Sequence, residues 1–180
     1  MLRLFTLAVL ASLCLSVQPS PAAASERPPL ARGVNLSHWL THWGRQPIRP
    51  VDMELIRSAG FDHVRVPFNP EYLGWRFADS DPEAPMPEIE KLDDAVRWGT
   101  RAGLTVLIDV HPSDEAHHAF EFDASARAAL IDLWRLLARR YADVPPDALV
   151  FELLNEPHFY ERGPEAVRRK VSITRSRPAR

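Results

Sequence analysis

The sequence is poor in several things: it has one cysteine, seven glycines and a net charge of only −2 in 180 residues. A single thiol cannot build a disulfide framework, which excludes a disulfide-stapled miniprotein. So few glycines exclude a collagen-like fibre, and 46% apolar residues with near-balanced charge exclude a highly charged disordered chain. Two phosphate-binding signatures, G-x-G-x-x-G after a first strand and G-x-x-x-x-G-K-[ST], are absent, which removes most support for a nucleotide-binding sheet. The His-x-His strand usual in barrel metallohydrolases is missing as well. No metal is therefore expected, although Asp109, His111, His117 and His118 carry ligating atoms.

What is present begins with two unusual ends. Met1-Leu2-Arg3, an apolar stretch from Leu4 to Val17 and the small residues Ala22-Ala23-Ala24 describe a secretory signal peptide over residues 1–24. Its apolar run of 14 residues is shorter than the roughly 20 that span a bilayer. Cys14 lies inside it, so cleavage leaves a secreted chain (extracellular or periplasmic) without a thiol and with no membrane attachment. At the other end, residues 162–180 hold six Arg and one Lys against Glu165, a net +6 that leaves −8 on residues 1–161. A basic tail can bind nucleic acid or anionic surfaces, but so few apolar residues predict a disordered tail, and a change of reading frame is a third reading. No nucleic-acid partner is expected.

Between the ends, over residues 25–161, short apolar runs alternate with helical periodicity. Strands are expected at Ala31–Leu36, Asp62–Pro67, Leu104–Val110 and Ala148–Leu154, and helices at Val51–Ala59, Glu88–Ala102 and Ser125–Tyr141. The third helix places Ala126, Ala129, Leu130, Leu133, Trp134, Leu137 and Tyr141 on one face. Gly60 and Gly103 stand where left-handed caps would end the first two helices. Repeated strand, helix and strand means parallel strands joined by crossovers, in an open doubly wound sheet or a (β/α)8 barrel. Strand residues alternate between faces, so Val64, Val66, Val106, Ile108 and Val110 form an apolar side. Arg65, Asp109 and His111 then share the other side, near the strand ends where a barrel builds its active site.

Chemistry concentrates in Leu149-Val150-Phe151-Glu152-Leu153-Leu154-Asn155-Glu156-Pro157-His158. A buried strand ending in an amide, a carboxyl group and a proline can hold that carboxyl group partly dry, which raises its pKa and suits it to donate a proton. The ten residues resemble the strand-four signature of glycoside hydrolase family five, the cellulase-like retaining β-glycosidases. Arg32 to Trp39, Gly60 to Pro67 and Gly103 to His111 resemble the same family's first three strands, in order.

The resemblance implies an α/β fold, the N-terminal half of a (β/α)8 TIM barrel with four parallel strands and three helices, truncated before strand five. It implies Glu156 as general acid/base, Asn155 contacting the sugar hydroxyl beside the scissile bond, and Arg65 and His111 shaping that subsite. Asn35, His38 and Trp39 are weaker carry-overs as sugar contacts. The ligand would be a β-linked polysaccharide or oligosaccharide, such as cellulose, β-glucan or mannan, cleaved without a cofactor. The nucleophilic glutamate at the end of strand seven has no counterpart here. Glu152 lies about 13 Å below Glu156 at about 3.3 Å per residue, too far for the roughly 5–5.5 Å spacing of retaining carboxylates. Asp109 is expected to support Arg65 or His111, and Asp114, Glu115, Glu121 and Asp123 to lie on a loop. Trp39, Trp43 and Trp75 fall on loops, where they stack on sugars or pack locally; Trp98 and Trp134 are expected to pack. The chain alone is expected to be inactive. The alternative is a noncatalytic glycan-binding or partner-assembled half barrel, self-associating through open sheet edges.

Overall fold

The computed structural model describes residues 30–41, 47–77 and 86–157. The signal-peptide segment, Cys14, Trp43, His158 and the basic tail lie outside the described residues. Four strands form one parallel sheet in chain order: β1 (Gly33–Asn35), β2 (His63–Phe68), β3 (Thr105–Val110) and β4 (Leu149–Glu152). Four helices accompany them: α1 (Pro50–Ser58), α2 (Glu90–Arg101), α3 (Asp114–Phe122) and α4 (Ala124–Arg140).

Helix α3 is additional to the three expected from the sequence, and it takes up Asp114, Glu115 and Glu121, which had been expected on a loop. Its cause is local. The Ser113 hydroxyl accepts from the Ala116 amide at 3.2 Å, Asp114 and Glu115 sit at the positive end of the helix dipole, and Ala116 and Phe120 bury one short face.

The faces of the sheet follow the alternation in the sequence. Val64, Val66, Val106, Ile108 and Val110 are wholly buried. That side meets the helices: a methyl group built at Gly99 of α2 would lie 2.4 Å from Val106 Cγ2. From β4, Phe151 reaches the same layer and packs 5.3 Å from the Trp134 ring of α4. Helix α4 buries the expected stripe, Ala126, Ala129, Leu130, Leu133, Trp134 and Leu137. Gly60 (φ +88°) and Gly103 (φ +76°) take the left-handed conformation that lets the chain leave α1 and α2 abruptly.

Two polar ties fix the frame. The Asp62 carboxylate accepts from the amides of Ala31 and Arg32 at 3.0–3.2 Å and meets His63 Nδ1 at 2.6 Å, joining the start of β1 to β2. Asp93 of α2 accepts from Arg140 Nε at 2.6 Å and from the Tyr141 hydroxyl at 3.0 Å, joining α2 to the end of α4.

The close approach at Gly99 sets up a test of helix propensity against packing. Replacing a helical glycine by alanine normally gains about 1 kcal/mol, while forcing an extra carbon into a packed core costs about 1–3 kcal/mol. At 2.4 Å from a branched core side chain the packing cost dominates. Gly99→Ala should therefore lower the urea midpoint, corresponding to a net loss of stability of up to about 2 kcal/mol, in unfolding followed by far-ultraviolet circular dichroism.

Candidate active site

At the C-terminal ends of the strands, the sheet register brings polar residues into two tiers on the side away from the helices. Asn35 pairs with Arg65, and Arg65 with Leu107; one step further along, Pro67 pairs with Asp109 and Asp109 with Glu152. Paired residues on parallel strands point to the same face, so Arg65 rises into a ring of acceptors. Its Nε and Nη2 donate to the two oxygens of Glu152 at 2.7 and 2.8 Å, a bidentate pair. Nη2 also meets Asp109 Oδ2 at 2.8 Å and donates to Asn155 Oδ1 at 3.0 Å. Nη1 donates to Asn35 Oδ1 at 3.1 Å. One guanidinium thus ties β1, β2, β3 and the end of β4.

His111 and Asp109 complete the group. Asp109 is fully buried, and its Oδ2 lies 3.1 Å from His111 Nδ1, while His111 Nε2 faces Asn155 Nδ2 at 3.5 Å. Burial pushes the Asp109 carboxyl upward, opposed by His111 and Arg65. The Arg65 guanidinium beside Glu152 holds that carboxyl below the usual glutamate range. Arg65 itself is raised, first by Glu152 and then, against the cost of burial, by Asp109 and Glu156.

Glu156 stands at the rim, exposed, with φ +34° and Pro157 following. Left-handed backbone at a non-glycine residue costs about 1–3 kcal/mol, and a following proline disfavours it further. Asn155, past the end of β4, is still tied to β3, its backbone amide donating to Val110 O at 2.9 Å. The amide is therefore held while the carboxylate turns out of the strand. A cleft of about 770 Å³ opens beside His111, lined also by Asn69, Glu71, Tyr72, Asp114 and Glu115. That volume is in the range of small-molecule sites.

The structure brings Asn35, Arg65, His111 and Asn155 into one hydrogen-bonded group, with Glu156 adjoining it. His38 sits at an exposed left-handed turn position (φ +65°), and among the described residues no hydrogen bond joins it to the group. Trp39 lies flat against Trp98 of α2, ring centroids 5.9 Å apart and 14° between planes, so one face of its indole is occupied by packing. Trp75 is buried at 3% exposure and is a packing residue. His117 and His118 pack against Phe120 and Phe122 on α3. Glu152 was considered from the sequence only as a second catalytic carboxylate; its part as the principal partner of Arg65 was missed. The available signal was register, because an inward carboxylate on β4 paired with inward Asp109 requires a cation between them, and Arg65 is the cation on that face.

A parallel α/β sheet with helices on its apolar face and a polar group at its strand ends is the arrangement of part of a (β/α) barrel, the class whose sites lie at the C-terminal ends of the strands. The chain belongs to the cellulase family, glycosyl hydrolase family 5, whose match covers residues 24–173. It is 32% identical to a probable glucan 1,3-β-glucosidase A of Aspergillus fumigatus over a 142-residue alignment covering 71% of this chain and 31% of that protein. It is 30% identical to endoglucanase C of Acetivibrio thermocellus over 138 residues, 69% of this chain and 39% of the relative. Among solved structures it resembles Cel5A of Thermotoga maritima in complex with cellobiose, with a TM-score of 0.64, 28% identity and coverage of 82% of this chain and 48% of that one. The same enzyme in complex with mannotriose gives a TM-score of 0.63 and 27% identity. The chain therefore spans less than half the length of these relatives.

The ion pair has a pH signature whose sign follows from the shifts. Glu152 has a depressed folded pKa, so it contributes stability above its unfolded value, and that stability is lost as pH falls through the folded value. Asp109 is raised and works the other way, binding its proton earlier in the folded state. Glu152→Gln should remove the first contribution. Below about pH 4.3, the thermal midpoint of the variant should fall less steeply than that of the wild type. At neutral pH the variant should be less stable by about 1 kcal/mol, discounted because both partners are partly exposed. Differential scanning calorimetry across the acid range checks both.

Proposed function

We propose that this chain carries the acid/base half of a secreted, retaining β-glycan hydrolase. The observation that carries the reading is Glu156 on the segment just after β4, beside an Asn155 amide whose position is fixed by Arg65 and by the backbone of β3. In this role Glu156 donates its proton to the glycosidic oxygen as the bond to the anomeric carbon breaks, and a carboxylate on the opposite face forms the glycosyl-enzyme bond. Glu156 then takes a proton from the water that hydrolyses that bond. Asn155 Nδ2 is the donor available to the neighbouring sugar hydroxyl. The relatives' names point to β-linked glucans, and a neighbour's mannotriose complex extends the range to mannans. The chemistry is proton and glycosyl transfer, for which carboxyl groups suffice.

The opposing nucleophile is not supplied by the group at the strand ends. Glu152 and Asp109 are both committed to Arg65, and neither is free to attack an anomeric carbon. A second reading, a glycan-binding or self-associating half barrel, is favoured by β1 and β4, which are the two edges of the four-stranded sheet. Export is proposed from the N-terminal signal, and N-terminal sequencing of protein from the culture medium should begin near residue 25.

The purified chain should show negligible turnover of β-glucan or mannan in a reducing-sugar assay. Turnover that Glu156→Gln abolishes would overturn the inactivity. Affinity electrophoresis in glucan and mannan gels, run beside sedimentation, separates a binding module from neither function: a monomer retarded in neither gel sinks the binding reading.

A further inference from the structure

We infer that Asp109 is a positioning residue that holds His111 as the neutral Nδ1–H tautomer and so dictates which hydrogen-bonding groups Asn155 and His111 turn toward a sugar beside Glu156. The sugar-facing part rests on the proposed function; the tautomer itself does not. Two independent constraints converge on the same proton position. From one end, the fully buried Asp109 carboxylate lies with Oδ2 at 3.1 Å from His111 Nδ1. The Arg65 guanidinium, with Nη2 at 2.8 Å from the same oxygen, keeps that carboxylate ionised against the cost of burial; an ionised carboxylate only accepts, so Nδ1 carries the hydrogen. From the other end, Arg65 Nη2 lies 3.0 Å from one terminal atom of the Asn155 side chain. A guanidinium only donates, so that atom is the amide oxygen and the NH₂ group faces His111 Nε2, at 3.5 Å. An NH₂ group facing Nε2 is matched by a lone pair there. Neither the Nε2–H tautomer nor the imidazolium offers one.

The rest of the group supports the same assignment. Of the charged groups around His111, Asp109 and Glu152 are joined through Arg65, while Glu71, Asp114 and Glu115 line the cleft beside it. Among the described residues nothing donates to the buried Asp109 Oδ1, and both of its polar contacts fall on Oδ2. Leaving a buried acceptor unpaired is costly, and a residue present only for packing would not need that carboxylate. With Asn155 Oδ1 taken by Arg65 and one Nδ2 hydrogen turned to His111, the second Nδ2 hydrogen is the donor left for a sugar hydroxyl. His111 Nε2 can accept from a sugar hydroxyl in place of its long contact with Asn155.

The test is ¹⁵N NMR of the histidine rings in the full chain at neutral pH, with the His111 signals assigned by their loss in His111→Gln. Wild-type His111 should show a protonated Nδ1 and an unprotonated Nε2. A protonated Nε2, as the neutral tautomer or as imidazolium, overturns the inference on the wild type alone, whether or not any variant folds and whether or not the chain binds glycan. Asp109→Ala should move the ring toward the Nε2–H form that free imidazole side chains favour. Glu152→Gln, which breaks the Arg65 pair without touching His111, should leave the tautomer as it was. A folded Asp109→Ala with an unchanged tautomer, or an equal shift in Glu152→Gln, would show that Asp109 does not set it.

Discussion

The arrangement of the strand ends depends on one guanidinium. Arg65 meets Asp109 and Glu152, two carboxylates at directly paired positions of β3 and β4, and it also holds the amides of Asn35 and Asn155. Like charges placed side by side on neighbouring strands repel, so without the cation the two acids could not both point inward and stay ionised. The net energetic gain of such a partly buried group is small, because removing the charges from water offsets much of their attraction. Its value is geometric. A planar five-donor fork accepts only certain placements of its partners, and it thereby sets the position of Asn155, which adjoins the proposed acid.

Burial follows the same logic outward from the middle of the sheet. The central strand β3 is buried at every position except Leu107, whereas β4 is half-exposed at Val150, Phe151 and Glu152. The layer against the helices is tightest at β3: Val106 lies so close to α2 that only glycine fits at 99, while Phe151 of β4 is partly covered by Trp134. The inward layer is polar and partly open. Stability therefore resides on the helix side of the sheet and chemistry on the other, so changes in the inward group perturb charge and proton placement more than packing.

The helix-side layer was legible in the sequence because it repeats. Alternation in β2 and β3 and the 3.6-residue stripe of α4 report burial directly, and the structure buries the predicted residues. The inward group was legible in part. Arg65, Asp109 and His111 could be assigned to one face by counting, but the bidentate partner of Arg65 depends on how β4 registers against β3, which no residue in either strand states alone. Helix α3 was hidden although Ser113, Asp114 and Glu115 mark its start, because its buried face mixes Ala116 and Phe120 with His117 and Glu121 and so shows no apolar stripe. The loop tryptophans were ambiguous for a related reason. A loop has no fixed side-chain alternation, so nothing in the sequence foretold that Trp39 would lie on Trp98 or that Trp75 would be buried.

The last turn of the chain before the mouth divides rigid from free. Asn155 keeps its backbone bond to Val110 and its side-chain bond to Arg65, so both its backbone and its amide are fixed. One residue later Glu156 adopts a left-handed conformation ahead of a proline and is exposed. Strand β4 ends at Glu152, so strand alternation no longer dictates where Asn155 and Glu156 point. Asn155 is oriented instead by its two bonds, and Glu156 by a φ of +34° that strand backbone does not take. The amide beside the proposed acid is thereby rigid, while the carboxyl group stands at the exposed rim.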